Sequence, residues 1–161
     1  MRGVSAANEN IRIPVEIADG YRWRPWISRG SETRVGKRVA RLLAMGGISN
    51  KADRLVGELS HGDQRTVEIM MALALNPKLL LLDEPTAGMG EQETYEITQL
   101  IQKLHREQKL TIVLIEHDMR VVFHLADRIL VLAEGLPLAD GSPDEIAANE
   151  AVQEAYLGRP A

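Results

Sequence analysis

The chain has no cysteine, one phenylalanine, two tryptophans and three tyrosines among 161 residues. The missing cysteine excludes disulfides, thiolate metal sites and cysteine nucleophiles. Long apolar runs are missing too. The longest, IMMALAL from Ile69 to Leu75, falls far short of the ~18 residues that a spanning helix needs. The first residues include Arg2 and Glu9 with no apolar stretch behind them, so no secretion signal is expected. A soluble chain is expected, with any membrane contact made through a partner. Positive charge is not in excess either: the net charge is −4, unlike a basic nucleic-acid binder. Finally, no G-x-x-x-x-G-K-S/T phosphate loop occurs. The nearest glycine–lysine pair is VGK, Val35 to Lys37, with no glycine-rich stretch before it.

What is present reads as one ordinary domain with enough apolar residues, 45% of the chain, to bury a core. Residues 1–30 give few regular signals, because Pro14, Gly20, Pro25 and Gly30 break up their apolar stretches. From Ser31, a plausible N-cap, Val35, Val39, Leu42 and Leu43 fall on one helical face, and Gly46–Gly47 end the run. A second helix is expected from Ser60 to about Leu75, stopped by Asn76–Pro77 and apolar nearly all round, hence deeply buried.

After Pro77 the pattern changes. LLLL (79–82) and TIVLI (111–115) are short continuous apolar runs, as parallel strands covered on both faces would show. Ile97, Leu100, Ile101 and Leu104 stripe a helix between them, and Met119, Val122, Phe123 and Ala126 stripe another after them. ILVLA (129–133), Glu134–Gly135 and LPLAD read as a hairpin, with Pro137 limiting its second strand to an edge. Ser142-Pro143-Asp144-Glu145 then opens a capped helix. The expectation is an α/β fold: a helical part over residues 1–75 beside an incomplete parallel core over 76–161.

Three stretches carry chemistry. Asp83 and Glu84 close LLLLDEP, Leu79 to Pro85, at a strand's carboxyl end, where open α/β sheets bind ligands. One carboxylate there can hold Mg²⁺, and its neighbour can orient and deprotonate a water attacking a phosphoryl group. An isolated Asp-Glu pair is more often just a strand returning to solvent, but the aliphatics before it and Pro85 after it shift the balance. His117 in VLIEHD follows TIVLI as Asp83 follows LLLL, so both could reach one site, where the imidazole would contact a γ-phosphate. A lone histidine is more often structural, and three others occur in this chain. In LSHGDQR, Leu59 to Arg65, Ser60 with Asp63 reads as a capping box, while Gly62 lets an anion approach the helix N-terminus.

LSHGDQR, LLLLDEP and IEHD, in that order, resemble the signature motif, Walker B motif and H-loop of ABC-type ATPases. GYRWRPW, ADRLVGELSHGDQR, DEPTAGM, IEHDM and EAYLGR look like the ATP-binding subunits of branched-chain amino acid importers. The resemblance runs from about Glu9 to the C-terminus. It implies a Mg²⁺ role for Asp83, a general-base role for Glu84 and a γ-phosphate contact for His117. It also implies that Ser60, Gly62 and Asp63 face the ATP of a second subunit in a head-to-tail dimer. Transmembrane permease subunits would be the other partners, with the ATPase on the cytoplasmic face of the membrane and no nucleic acid involved. His61 stands where the signature has its first glycine, Asp63 where it has glutamine, and Gly90 where the loop after Walker B ends in aspartate.

The resemblance further implies a P-loop, a glutamine loop and an adenine-stacking aromatic ahead of residue 1, so the chain is expected to be a C-terminal portion, inactive alone. A non-catalytic module that lends Ser60 and Gly62 to a P-loop-bearing partner, or docks on a permease, is the alternative. A nucleic-acid surface over residues 21–41 is disfavoured by net acidity, and the absence of long heptads disfavours chromosome-associated ABC ATPases.

Overall fold

The computed structural model describes residues 5–20 and 29–157. The chain groups into two compact units, Met1–Ile115 and Glu116–Ala161. The first holds helices α1 (Ala7–Ala18), α2 (Arg29–Met45), α3 (His61–Leu73) and α4 (Glu91–Gln108), with strands β1 (Leu79–Asp83) and β2 (Thr111–Ile115). The second holds α5 (Met119–Leu125), β3 (Ile129–Ala133), β4 (Leu136–Gly141), α6 (Pro143–Ala147) and α7 (Glu150–Val152). The expected limit between a helical part and an α/β part, after residue 75, falls inside the first unit, between α3 and β1.

Helix α1 was not expected. Pro14 sits inside it, where a missing N–H normally breaks a helix. Burial outweighs that cost, because Ala7, Ile11, Pro14 and Val15 form a stripe at helical spacing and are all buried. Its start is tied down by Glu9, whose carboxylate accepts the Ala6 N–H at 3.1 Å. Backbone bonds from Ala7 N–H to Arg54 O and from Val56 N–H to Ser5 O add to this.

Helix α2 starts at Arg29, so Ser31 lies inside it and is not its cap. Its expected end is observed: the Ile48 N–H reaches back to Leu43 O, and Gly47 takes a left-handed φ of 70°. Val35, Val39, Leu42 and Leu43 are buried as the spacing predicts. Arg38 bridges helix ends, bonding Asp19 after α1 at 2.6 Å and Asn76 after α3 at 2.8 Å. Helix α3 is buried or half-buried except at His61 and Glu68, and Asn76 (φ 53°) with Pro77 ends it as expected.

Strands β1 and β2 pair in parallel, Leu79 opposite Thr111 through Asp83 opposite Ile115. The continuous apolar runs predict burial on both faces, and the structure corrects this. Leu80 and Leu82 are 6% and 8% exposed, whereas Leu79, Leu81, Val113 and Ile115 are 48%, 68%, 48% and 61% exposed. Side chains alternate along a strand, so only one face of this pair is covered. Helix α4 between the strands buries its expected stripe, Ile97, Leu100, Ile101 and Leu104.

In the second unit, β3 and β4 form the expected antiparallel hairpin. Glu134 and Gly135 both have positive φ, 50° and 79°, the backbone of a type I′ turn. A register shift between Val131 and Leu132 sits beside Pro137, which cannot donate to the ladder. Ile129, Val131, Ile146 and Val152 form this unit's core, with Val122, Phe123, Ala126 and Ala139 packed on it. In α5 the buried residue is Val121, outside the expected stripe. Ser142 and Glu145 make the full capping box of α6.

Candidate functional site

The first unit sets two groups of candidate residues on neighbouring elements. Ser60 is the N-cap of α3: its Oγ accepts the Asp63 N–H at 3.3 Å. The reciprocal half of the expected capping box is not made. The Asp63 carboxylate turns instead to Lys51, with Nζ at 2.7 Å from Oδ1 and a second contact to Oδ2. An ammonium with its charge to match outcompetes a backbone N–H for that carboxylate. Gly62 is buried, and its N–H donates to Glu93 Oε1 at 3.2 Å. A Cβ on Gly62 would lie 3.3 Å from Glu93 Cβ and 3.4 Å from its Cγ, so only glycine lets the start of α4 come this close without displacement.

Asp83 ends β1, and Glu84 follows it in a left-handed backbone conformation, φ 41°. A non-glycine residue held there costs on the order of 1–2 kcal/mol, so its surroundings have to enforce the shape. They do. The Glu84 N–H bonds Ile115 O at 2.9 Å, and the Ala87 N–H closes a turn onto Glu84 O at 3.1 Å. Arg65 of α3 then donates to three successive carbonyls: Asp83 O at 3.1 Å, Glu84 O at 3.0 Å and Pro85 O at 3.3 Å. Buried Pro85 and Thr86 complete the anchor. The result is an exposed carboxylate pair on a rigid, strained turn.

Neither Arg65 nor Glu93 was singled out from the sequence as a site residue. Arg65 is the last residue of the quoted LSHGDQR, and a cation inside a run expected to be apolar nearly all round was the available signal. Glu93 occupies the N3 position of α4, a capping position with no visible link to Gly62. Its carboxyl is held below the usual glutamate range, first by the Gly62 N–H, then by the Ser60 hydroxyl and the Gly90 N–H, with His61 adding a favourable charge. His117 belongs to the second unit. It is exposed, its N–H meets Glu116 Oε2 at 3.3 Å, and Asp118 behind it caps α5 by accepting the Arg120 N–H at 2.9 Å.

Among the described residues, no three histidine, aspartate or glutamate side chains gather where they could hold a metal ion. Mg²⁺ needs less than that, since it commonly takes one or two carboxylates and completes its shell with water and substrate phosphate. Asp83, exposed at the strand end, leaves room for a shell of that kind. Val35 to Lys37 lie inside α2, so that glycine–lysine pair forms no phosphate loop.

A sequence model described as ABC transporter matches residues 5–87, more than half of the chain. The chain belongs to the ABC transporter family. A second model, described as branched-chain amino acid ATP-binding cassette transporter, matches residues 137–161. The high-affinity branched-chain amino acid transport ATP-binding protein LivG of Salmonella typhimurium is 42% identical over 81% of this chain and 51% of its own length. BraF of Pseudomonas aeruginosa, which carries the same description, gives the same identity and coverage. The methionine import ATP-binding protein MetN 1 of Pseudomonas putida is 37% identical over 86% of this chain and 38% of its own. Among solved structures, the ADP conformation of MJ1267, an ATP-binding cassette of an ABC transporter, superposes with a TM-score of 0.76 at 28% identity. It covers 96% of this chain and 63% of that one. The chain spans about half the length of the curated relatives it matches.

Proposed function

We propose that this chain is the signature-motif and Walker B portion of the ATP-binding subunit of an ABC importer for branched-chain or similar hydrophobic amino acids. The observation that carries the reading is the turn after β1. Glu84 is held at φ 41° by Ile115 O and by Arg65, a cost that a mere return to solvent would not require. Similarity to LivG and BraF, described as branched-chain amino acid transport ATP-binding proteins, supports the substrate class.

In this reading Asp83 supplies a carboxylate oxygen to Mg²⁺, which when bound neutralises charge on the nucleotide phosphates. Glu84 orients a water and accepts its proton as the water attacks the γ-phosphorus. His117 donates a hydrogen bond to a γ-phosphate oxygen, a role that rests on motif order. Ser60 and Gly62 present an O–H and an N–H at the positive end of α3 to the phosphate of a second ATP-binding subunit, with Asp63 beside them. A dimeric structure of the similar cassette MJ0796, bound to ADP and Pi, supports a two-subunit arrangement. Permease subunits would hold the pair at the inner face of the cell membrane. Among the described residues no helix is long and apolar enough to cross one.

Without a G-x-x-x-x-G-K-S/T loop, these 161 residues lack the backbone nest and lysine that position a triphosphate. The purified chain with Mg²⁺ and ATP should therefore release phosphate no faster than its Glu84→Gln variant. Joined behind a P-loop-bearing segment, it should turn over ATP, and Glu84→Gln should then stop turnover while leaving ATP bound. The second reading is a non-catalytic module that offers Ser60 and Gly62 to a partner's nucleotide. The same absent loop favours it, and a joined protein that binds ATP but shows no Glu84-dependent turnover would select it.

A further inference from the structure

One of the donors that the proposed function gives to a second subunit's phosphate, the Gly62 N–H, already holds an anion from its own chain. Gly62 N–H donates to Glu93 Oε1 at 3.2 Å, across 31 positions of sequence. The stem of Glu93 packs against Gly62, its Cβ and Cγ 3.3 and 3.4 Å from where a Cβ on that glycine would sit. The Ser60 hydroxyl and the Gly90 N–H also favour the charged form of this carboxylate. Glu93 is the third residue of α4, whose N-cap is Gly90. Two helix N-termini, those of α3 and α4, therefore converge on one carboxylate, each contributing partial positive charge. The other acid at the start of α3 does not compete, because Asp63 is neutralised by Lys51.

We propose that Glu93 is an intramolecular latch on the signature helix. Its carboxylate occupies the Gly62 N–H until a phosphate group displaces it. The proposal rests on the reading of Ser60 and Gly62 as phosphate donors. A polyphosphate and a carboxylate repel each other and want the same N–H and O–H groups, so both cannot be seated at once. On displacement Glu93 has somewhere to go. From the N3 position of α4 it can keep the Gly90 N–H, as an acid at N3 does in a capping box, while giving up Gly62. The latch thus keeps a positive helix end from binding stray anions and adds a threshold to phosphate capture.

The test uses the 161-residue chain, tripolyphosphate as the probe, and amide NMR of Gly62 and Asp63 at constant ionic strength. Glu93→Gln keeps the shape and the cap of α4 but removes the charge, and Glu93→Ala removes the side chain. Circular dichroism establishes that both variants fold. The expected result is that Gly62 and Asp63 amides shift with tripolyphosphate at a midpoint about tenfold lower in both variants than in the parent, the scale of one charged hydrogen-bond partner. Equal midpoints in all three proteins, with Gly62 shifting in each, would overturn the latch and leave the phosphate-donor reading intact. No Gly62 or Asp63 shift in any of them would overturn both.

Discussion

At the scale of single residues, the backbone of Glu84 gives a prediction whose sign is opposite to the ordinary one. In most places alanine is at least as stable as glycine, because glycine loses more chain entropy on folding. At φ 41° the order reverses, since a Cβ in the left-handed region costs about 1–2 kcal/mol. Glu84→Gly should therefore be more stable than Glu84→Ala, by about 1 kcal/mol in urea unfolding. The reverse order would mean that the turn relaxes once the glutamate is gone. Arg65 is the second test of this turn. Arg65→Ala takes one donor from each of three carbonyls, of which Glu84 O keeps the Ala87 N–H, and should cost about 1–3 kcal/mol. Arg65→Lys should recover only part of that, because one ammonium cannot match the spread of a guanidinium. A loss below 0.5 kcal/mol, about the level of an ordinary surface change, would show that water replaces it.

Among the elements, α3 is where most of the organisation meets. Gly46, just after α2, lies so close to α3 that an added Cβ would sit 2.7 Å from Thr66 Cγ2 and 3.2 Å from Met70 Cγ. Both partners are buried, so Gly46→Ala should destabilise by roughly 1–3 kcal/mol, read as a lowered urea midpoint. An unchanged midpoint would show that Thr66 can turn away freely.

The second unit offers a pH test. Asp118, Asp140 and Glu145 are all held below their ordinary values. The causes are Arg120 for the first, Arg128 for the second, and the Ser142 N–H and hydroxyl for the third. A carboxylate depressed in the folded state stabilises it above the unfolded pKa, and that contribution is lost as pH falls through the folded pKa. The α5 cap, the β3–β4 hairpin and the α6 cap should therefore hold at neutral pH and loosen below about pH 4. Amide exchange of the second unit measured from pH 7 to 3 checks this, and protection that stays flat through that range would contradict it.

These elements also show what sequence can convey. The α6 capping box, the Glu134–Gly135 turn and the Ser60 cap were legible because each is a contact between near neighbours that leaves a fixed spacing. The α1 stripe was equally local, but Pro14 outweighed it in the reading although burial outweighs Pro14 in the fold. The grips of Arg65 on the β1 turn and of Glu93 on Gly62 join residues 18 to 20 and 31 positions apart. No periodicity encodes such pairs, so the chemistry-bearing motifs were visible while the side chains that hold them were not.

For the molecule as a whole, the burial of β1 and β2 separates what a sequence demands from what surrounds it. Four leucines in a row state that both faces of the strand should be covered, yet Leu81 is 68% and Ile115 61% exposed. Leu79, Leu81, Val113 and Ile115 share one face by register, and as a two-stranded sheet β1 and β2 each have an unpaired edge among the described residues. An apolar face beside open strand edges favours association between chains. The purified chain should accordingly self-associate with rising concentration in sedimentation velocity. Leu81→Lys combined with Val113→Lys should shift it towards monomer. Because both positions are already exposed, the double change should alter stability by no more than about 1 kcal/mol. A loss of several kcal/mol would mean that this face is packed in solution, and an unchanged sedimentation profile would move the sticky surface elsewhere. The second outcome would direct attention to the hairpin, where Leu130, Leu132, Leu136 and Leu138 are also exposed. Leu136→Lys is then the change to make, since at 70% exposure it is the most open of the four.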